Sequence, residues 1–146
     1  MSLSLTAARP DLRVIIIGAG TGGLCLAHGL QRAGIEVAVY ERDRTRTDGL
    51  QGYRVGIDAD GSRALHTCLP PEIFAIFLAT CARPPRYFSL VTEHLDELLS
   101  LEIPHAADPT TSEKSVSRMT LRQVLLTGLE DIVHFDKTFT RYEQHP

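Results

Sequence analysis

Four β-branched residues, Val14-Ile15-Ile16-Ile17, run directly into Gly18-Ala19-Gly20-Thr21-Gly22-Gly23. The apolar run predicts a strand buried on both faces, and the glycines predict a turn into a helix. Each glycine has a distinct physical role. Gly18 allows the tight turn off the strand. Gly20, with no Cβ, lets a pyrophosphate approach the backbone. Gly23 lets the helix pack close to the sheet. Leu24, Ala27 and Leu30 then fall on one helical face, and Ala33-Gly34 supplies a stop. Ile35, Val37 and Val39 alternate as a second strand, with Glu41 at its end. Residues 12–42 thus read as a βαβ dinucleotide-binding unit. The free N–H groups at the helix start, around Thr21 and Gly22, would meet phosphates. Glu41 lies roughly 20 residues past the first glycine, where an acid accepts hydrogen bonds from a ribose diol and repels a 2′-phosphate. A glycine triplet alone is a weak signal; here the preceding strand, the following helix and the distant acid agree with it. The expected fold class is α/β, a Rossmann-like dinucleotide-binding domain with a parallel sheet. Glu41, beside solvent at a strand end, is expected to be replaceable without unfolding the chain.

Length and composition bound the alternatives. A chain of 146 residues is one domain with room for a real core. Its 43% hydrophobic and 23% charged content is that of an ordinary globular protein. A net charge of −3 gives no support for nucleic-acid or anionic-membrane binding. The N-terminus carries no signal pattern, and the longest apolar run is too short to span a bilayer. The three cysteines, Cys25, Cys68 and Cys81, and the six scattered histidines lack metal-type spacing. No metal site is expected, Cys25 is read as a buried small residue, and the expected location is the cytoplasm.

Residues 1–11 read as a disordered lead-in closed by Pro10. The polar stretch 42–52 reads as a loop whose arginines, with Arg54 just beyond, would lie near the adenosine end; a simple solvated loop is the other reading for Arg44 and Arg46. A short extended piece at 53–57, a helix at 58–68 and a second helix after Pro70-Pro71 follow. Residues 87–103 alternate as two antiparallel strands bending near Asp96, with a helix over 93–101 as the competing reading. Residues 105–115 read as a loop. Residues 117–129 form an amphipathic helix presenting Leu121, Val124, Leu125 and Leu129 on one face. Strands are expected at 132–135 and 138–142.

Three segments in order, the βαβ start, Gly52-Tyr53-Arg54-Val55-Gly56-Ile57 and Ser117-Arg118-Met119-Thr120-Leu121-Arg122, resemble the flavin-dependent aromatic hydroxylases and related FAD monooxygenases. The resemblance implies FAD as cofactor, NAD(P)H as a transient reductant and a small aromatic substrate. It implies that Glu41 holds the adenosine ribose, that Arg118 reaches the FAD near its pyrophosphate and ribityl chain, and that the Arg54 region lines the same channel; Arg42 is placed as a cofactor-binding residue by its position in the arginine loop at the adenosine end. Chemistry is in keeping with this. Guanidinium binds phosphate by paired, charge-assisted hydrogen bonds, whereas an arginine at a helix start is badly placed against the helix dipole. A plain surface arginine is the other reading for Arg118 and Arg54. For Arg122, one turn later, a site role and a salt bridge are both open.

Enzymes of that kind are much longer. The chain is therefore expected to be the N-terminal, truncated part of an FAD-binding domain, with no catalytic residue assignable and no activity alone. Uncovered sheet edges would favour self-association. A non-catalytic nucleotide-binding module and an NAD-dependent dehydrogenase domain are the alternatives.

Overall fold

The computed structural model describes residues 12–48, 52–104 and 108–144; the expected lead-in at 1–11 lies outside them. Strand β1 (Arg13–Ile17) runs into helix α1 (Thr21–Arg32) and returns as β2 (Glu36–Tyr40). Then come β3 (Arg54–Ile57), α2 (Ala59–Cys68), α3 (Pro71–Thr80), a hairpin of β4 (Tyr87–Val91) and β5 (Glu97–Glu102), β6 (Lys114–Ser117), α4 (Arg118–Leu126) and β7 (Val133–His134). Strands β1, β2 and β7 make a parallel sheet in the order β1-β2-β7, while β3 pairs with β6 and β4 with β5 in two antiparallel ribbons. This is the expected α/β architecture with a parallel sheet and small antiparallel elements.

Local chemistry explains the helix boundaries. The Asp58 carboxylate accepts the Gly61 N–H at 2.7 Å and caps α2. Pro71 opens α3 at a position where its missing N–H is no loss. Ser117 caps α4 by accepting the Thr120 N–H, and α4 gives way to Gly128 in the left-handed region at φ +81°. Inside, Leu24 and Ala27 of α1, Phe77 of α3, Leu121 and Leu125 of α4, and Val39 of β2 are fully buried in one continuous core.

Four expectations change. The first strand is buried on one face only: Ile16 is 7% exposed, but Ile15 and Ile17 are 65% and 52% exposed. The helices α1 and α4 gather on the Ile16 side, and among the described residues nothing covers the other. The loop expected through Ser115 ends earlier, because Lys114 already pairs with Ile57 as Val116 enters the core against Val55. Among the described residues the segment 138–142, expected as a strand, pairs with no strand, and Asp136 at φ +57° turns the chain beforehand. Helix α4 stops at Leu126, although Leu129 is still buried. The hairpin forms with its bend at Leu95-Asp96, so the helical reading of 93–101 falls. Its apolar face, Phe88 and Leu90 opposite Leu101 and Leu99, is exposed. Among the described residues no helix is long and apolar enough to cross a membrane.

His28 is the one buried histidine among the described residues, 3% exposed, and its Nε2–H donates to the Leu125 carbonyl at 2.9 Å, tying α1 to α4. Burial pushes its pKa below the usual histidine value, partly offset by the Leu125 carbonyl and Glu130. The depressed folded value means the unfolded chain takes the proton first. Stability is therefore full above about pH 6.5 and falls as pH drops through the lowered folded pKa. Thermal melts at pH 7.5 and 5.5 should show a larger loss for the native chain than for His28→Leu; equal losses would show that His28 is not the group responsible.

Candidate functional site

The glycine turn is built as its sequence demands. Gly18 has φ +102°, and its N–H donates to the Tyr40 carbonyl at 2.8 Å, which locks the turn to the end of β2. A Cβ on Gly23 would overlap the Gly18 carbonyl oxygen and stand 3.2 Å from Ile16 Cγ2. Close passage of α1 over β1 therefore requires glycine there. A Cβ on Gly20 would meet nothing within 4 Å. Gly20 faces open space at the start of α1, where no side chain caps the helix. The uncapped N–H groups and the dipole make this end an anion cradle.

Glu41 follows β2 directly, and the parallel pairing with β7 holds its backbone. Its N–H donates to the His134 carbonyl at 2.9 Å and its own carbonyl accepts the Lys137 N–H at 2.8 Å. Its side chain is not free at a solvent edge, as the sequence suggests: only 8% of the residue is exposed. Oε2 accepts the Ala19 N–H at 2.6 Å and Oε1 the Asp43 N–H at 3.0 Å. Burial raises its pKa, but the N–H groups of Asp43 and Ala19, then the Arg122 charge, outweigh this and hold the carboxyl below its ordinary value. Each oxygen keeps a lone pair for a further donor.

Turn and acid meet in one cleft of about 520 Å³. Gly18, Ala19, Gly20 and Thr21 line it on one side, and Tyr40, Glu41, Arg42 and Asp43 at the end of β2. Arg118, Met119 and Arg122 of α4 and Lys137, Thr138 and Phe139 complete the wall. Of the residues read from sequence, Gly18, Gly20, Thr21, Glu41, Arg42 and Arg118 come together here. Gly22 and Gly23 do not line the cleft. Arg54 does not either: its Nε donates to Ser115 Oγ at 2.9 Å and its Nη2 to the Ser115 carbonyl at 2.8 Å, across the β3–β6 ribbon. Arg46 is likewise engaged away from the cleft, on Gln123 and Glu130. Arg118 heads α4, its N–H donating to the Tyr53 carbonyl at 3.1 Å. Gly52, at φ +118°, lies under it, for a Cβ there would stand 3.3 Å from Arg118 Cδ. Among the described residues its guanidinium has no hydrogen bond or ion pair.

Sequence reasoning missed Lys137, Thr138 and Phe139, which carry no motif and reach the cleft only because the Asp136 turn bends the chain into it. Asp43 was also missed, and Arg122 had only its one-turn spacing from Arg118 as a signal. The Arg122 guanidinium is almost buried. Nη1 bonds Asp43 Oδ2 at 2.8 Å and the Asp48 carbonyl at 2.9 Å, and Nε bonds the Ala19 carbonyl at 3.2 Å. The salt-bridge reading therefore holds for Arg122. Among the described residues no group of three or more His, Cys, Asp or Glu could hold a metal ion.

The residues fit a dinucleotide on geometry alone: a side-chain-free cradle at Gly20, an ionised buried acid with spare lone pairs, and a guanidinium with no partner among the described residues in the same cleft. Comparison with known proteins agrees. A family model described as an FAD binding domain matches residues 11–55. The chain is 34% identical over 143 residues to the dual O-methyltransferase/FAD-dependent monooxygenase elcB of Phaeosphaeria nodorum, covering 93% of this chain and 15% of that protein. It is also 34% identical over 143 residues to the FAD-dependent monooxygenase dbaB of Emericella nidulans, covering 97% and 35%. A crystal structure from Photorhabdus luminescens, described as an FAD containing monooxygenase, superposes with a TM-score of 0.75 at 35% identity over 92% of this chain and 33% of that one. The fold alone is shared with Klebsiella pneumoniae HpxO, solved with FAD and uric acid, at a TM-score of 0.71 and 24% identity. The chain thus spans about a third or less of the proteins it matches. With a glycine turn, a buried acid and, among the described residues, an unpaired arginine in one cleft, and these relatives along nearly its whole length, the chain matches the FAD-binding portion of the FAD-dependent monooxygenases.

Proposed function

We propose that the cleft holds the ADP half of FAD, and that the chain serves as the FAD-binding part of an NAD(P)H- and O₂-dependent monooxygenase acting on a small aromatic substrate. The observation that carries this reading is Arg118, a guanidinium at a helix start with no partner among the described residues, lining the same cleft as the Gly20 cradle and the ionised Glu41. An exposed cation against the dipole of its own helix is unfavourable unless an anion compensates it, and a pyrophosphate does so.

In this reading the Gly18–Thr21 turn and the start of α1 bind the pyrophosphate through backbone N–H groups. Glu41 accepts the two ribose hydroxyls on its remaining lone pairs. Arg42, exposed beside it, faces the adenosine, and Arg118 neutralises phosphate charge toward the ribityl side. The Gly52 turn keeps the space in which the Arg118 side chain lies. FAD supplies hydride acceptance from NAD(P)H and oxygen activation when bound; these residues bind and orient it.

Equilibrium dialysis of the chain against FAD and NADP tests the reading. FAD is expected to bind at least about tenfold more tightly, about 1.4 kcal/mol, because Glu41 repels a 2′-phosphate. Preference for NADP would overturn it.

A further inference from the structure

We propose that Arg122 is a positioning residue for dinucleotide recognition: it holds the Glu41 carboxylate and the glycine turn in the register that reads the ribose diol. The inference rests on the FAD reading above. From α4, the Arg122 side chain reaches three separate segments around the cleft: Ala19 in the turn, Asp43 just past β2 and Asp48 in the following loop. None of its side-chain hydrogen bonds goes to another residue of α4. Glu41 and Asp43 are two carboxylates within one turn of chain, and Arg122 stands against both, with Nη1 on Asp43 at 2.8 Å and Nη2 3.9 Å from Glu41 Oε2. Remove the cation and the two acids repel, which drives the one with the freer side chain toward solvent.

The second observation is Nη2 itself. It is buried and has no hydrogen-bond partner among the described residues, and a buried unmade hydrogen bond is costly. The atom faces Oε2, which is already taken on one side by the Ala19 N–H. The arrangement is that of a strut: Arg122 fixes where Oε2 sits, and the backbone N–H groups fix how the carboxylate is turned. A buried ion pair is weak as a stability device, since apolar replacements are often as stable. A residue placed for geometry should therefore show its effect in selectivity.

The experiment measures ADP and 2′-deoxy-ADP affinity by calorimetry for the native chain, Arg122→Lys and Arg122→Met, with circular dichroism and thermal melts on each. The native chain should prefer ADP by at least about tenfold through the Glu41–diol contact. Arg122→Met should bring the ratio close to one, and Arg122→Lys, which keeps the charge but not the fork, should leave an intermediate ratio. If Arg122 is merely structural, both ligands weaken in proportion and the ratio survives, which overturns the proposal. Should Arg122→Met fail to fold, Arg122→Lys decides: an unchanged ratio overturns the proposal, a reduced one supports it. A native chain that binds ADP without preference would overturn the ribose role of Glu41 and the strut with it. Failure of the native chain to bind ADP at all would instead overturn the FAD reading.

Discussion

Gly23→Ala should cripple the fold, whereas Gly20→Ala, three residues earlier, should leave the fold intact and remove the ligand. At Gly23 the added methyl overlaps the Gly18 carbonyl oxygen and presses on Ile16. Backbone has no rotamer to escape into, so α1 must lift off β1 or the turn must deform. Overpacking of this kind costs about 3 kcal/mol at the upper end of its usual range, a fall in Tm of roughly 10 °C for a domain of this size. At Gly20 the methyl meets no protein atom, and the backbone at φ −81° tolerates alanine. Stability should change by less than about 1 kcal/mol. The methyl then stands where the proposed reading puts the pyrophosphate, and FAD affinity should drop by at least about tenfold. Thermal melts and FAD fluorescence titrations on the two variants check both halves. A stable Gly23→Ala chain, or a Gly20→Ala chain that binds FAD normally, would contradict the assignment.

Glu41→Ala is expected to damage both binding and stability. Loss of two charge-assisted hydrogen bonds from the ribose weakens FAD by about 1.5–3 kcal/mol. The buried N–H groups of Ala19 and Asp43 also lose their acceptor, at about 1–3 kcal/mol for a group left unsatisfied. Glu41→Gln, which retains an acceptor oxygen, should recover part of the stability and little of the binding. Because the folded chain holds this carboxyl below its ordinary pKa, the unfolded chain binds the proton first as pH falls. The Glu41 contribution to stability is thus complete above the ordinary glutamate pKa of about 4.3 and is lost as pH falls through the lower folded value. Acid titration of native and Glu41→Gln chains, followed by circular dichroism, should converge at low pH. A constant gap between them down to the lowest pH would show that the ionised carboxylate contributes nothing.

Much of this was legible in the chain. The βαβ unit declares itself because its signals are local: an apolar run, glycines whose roles depend on neighbours within a few residues, an amphipathic helix, and an acid at a fixed distance. The Leu121, Val124, Leu125 face is local in the same way, and the helix it marks over 117–129 puts Arg118 at a helix start from sequence alone. Glu41 stood out as the candidate ribose acid by position alone. Its burial was not, because the N–H groups that hold it come from Ala19 across the turn and from Asp43, and its backbone from β7 about a hundred residues on. Arg54 shows the converse. A motif put it near the cofactor, but the β3–β6 register set Ser115 beside it and took the guanidinium. Lys137 and Arg122 entered the cleft through the Asp136 turn and the packing of α4, neither of which leaves a pattern in sequence. Periodicity and glycine spacing therefore determined the fold class and the chemistry of the ligand's phosphate and ribose. Only long-range packing decided which cations remain free to meet the ligand and which are used to hold the site together, because that choice depends on partners that meet only in the folded chain.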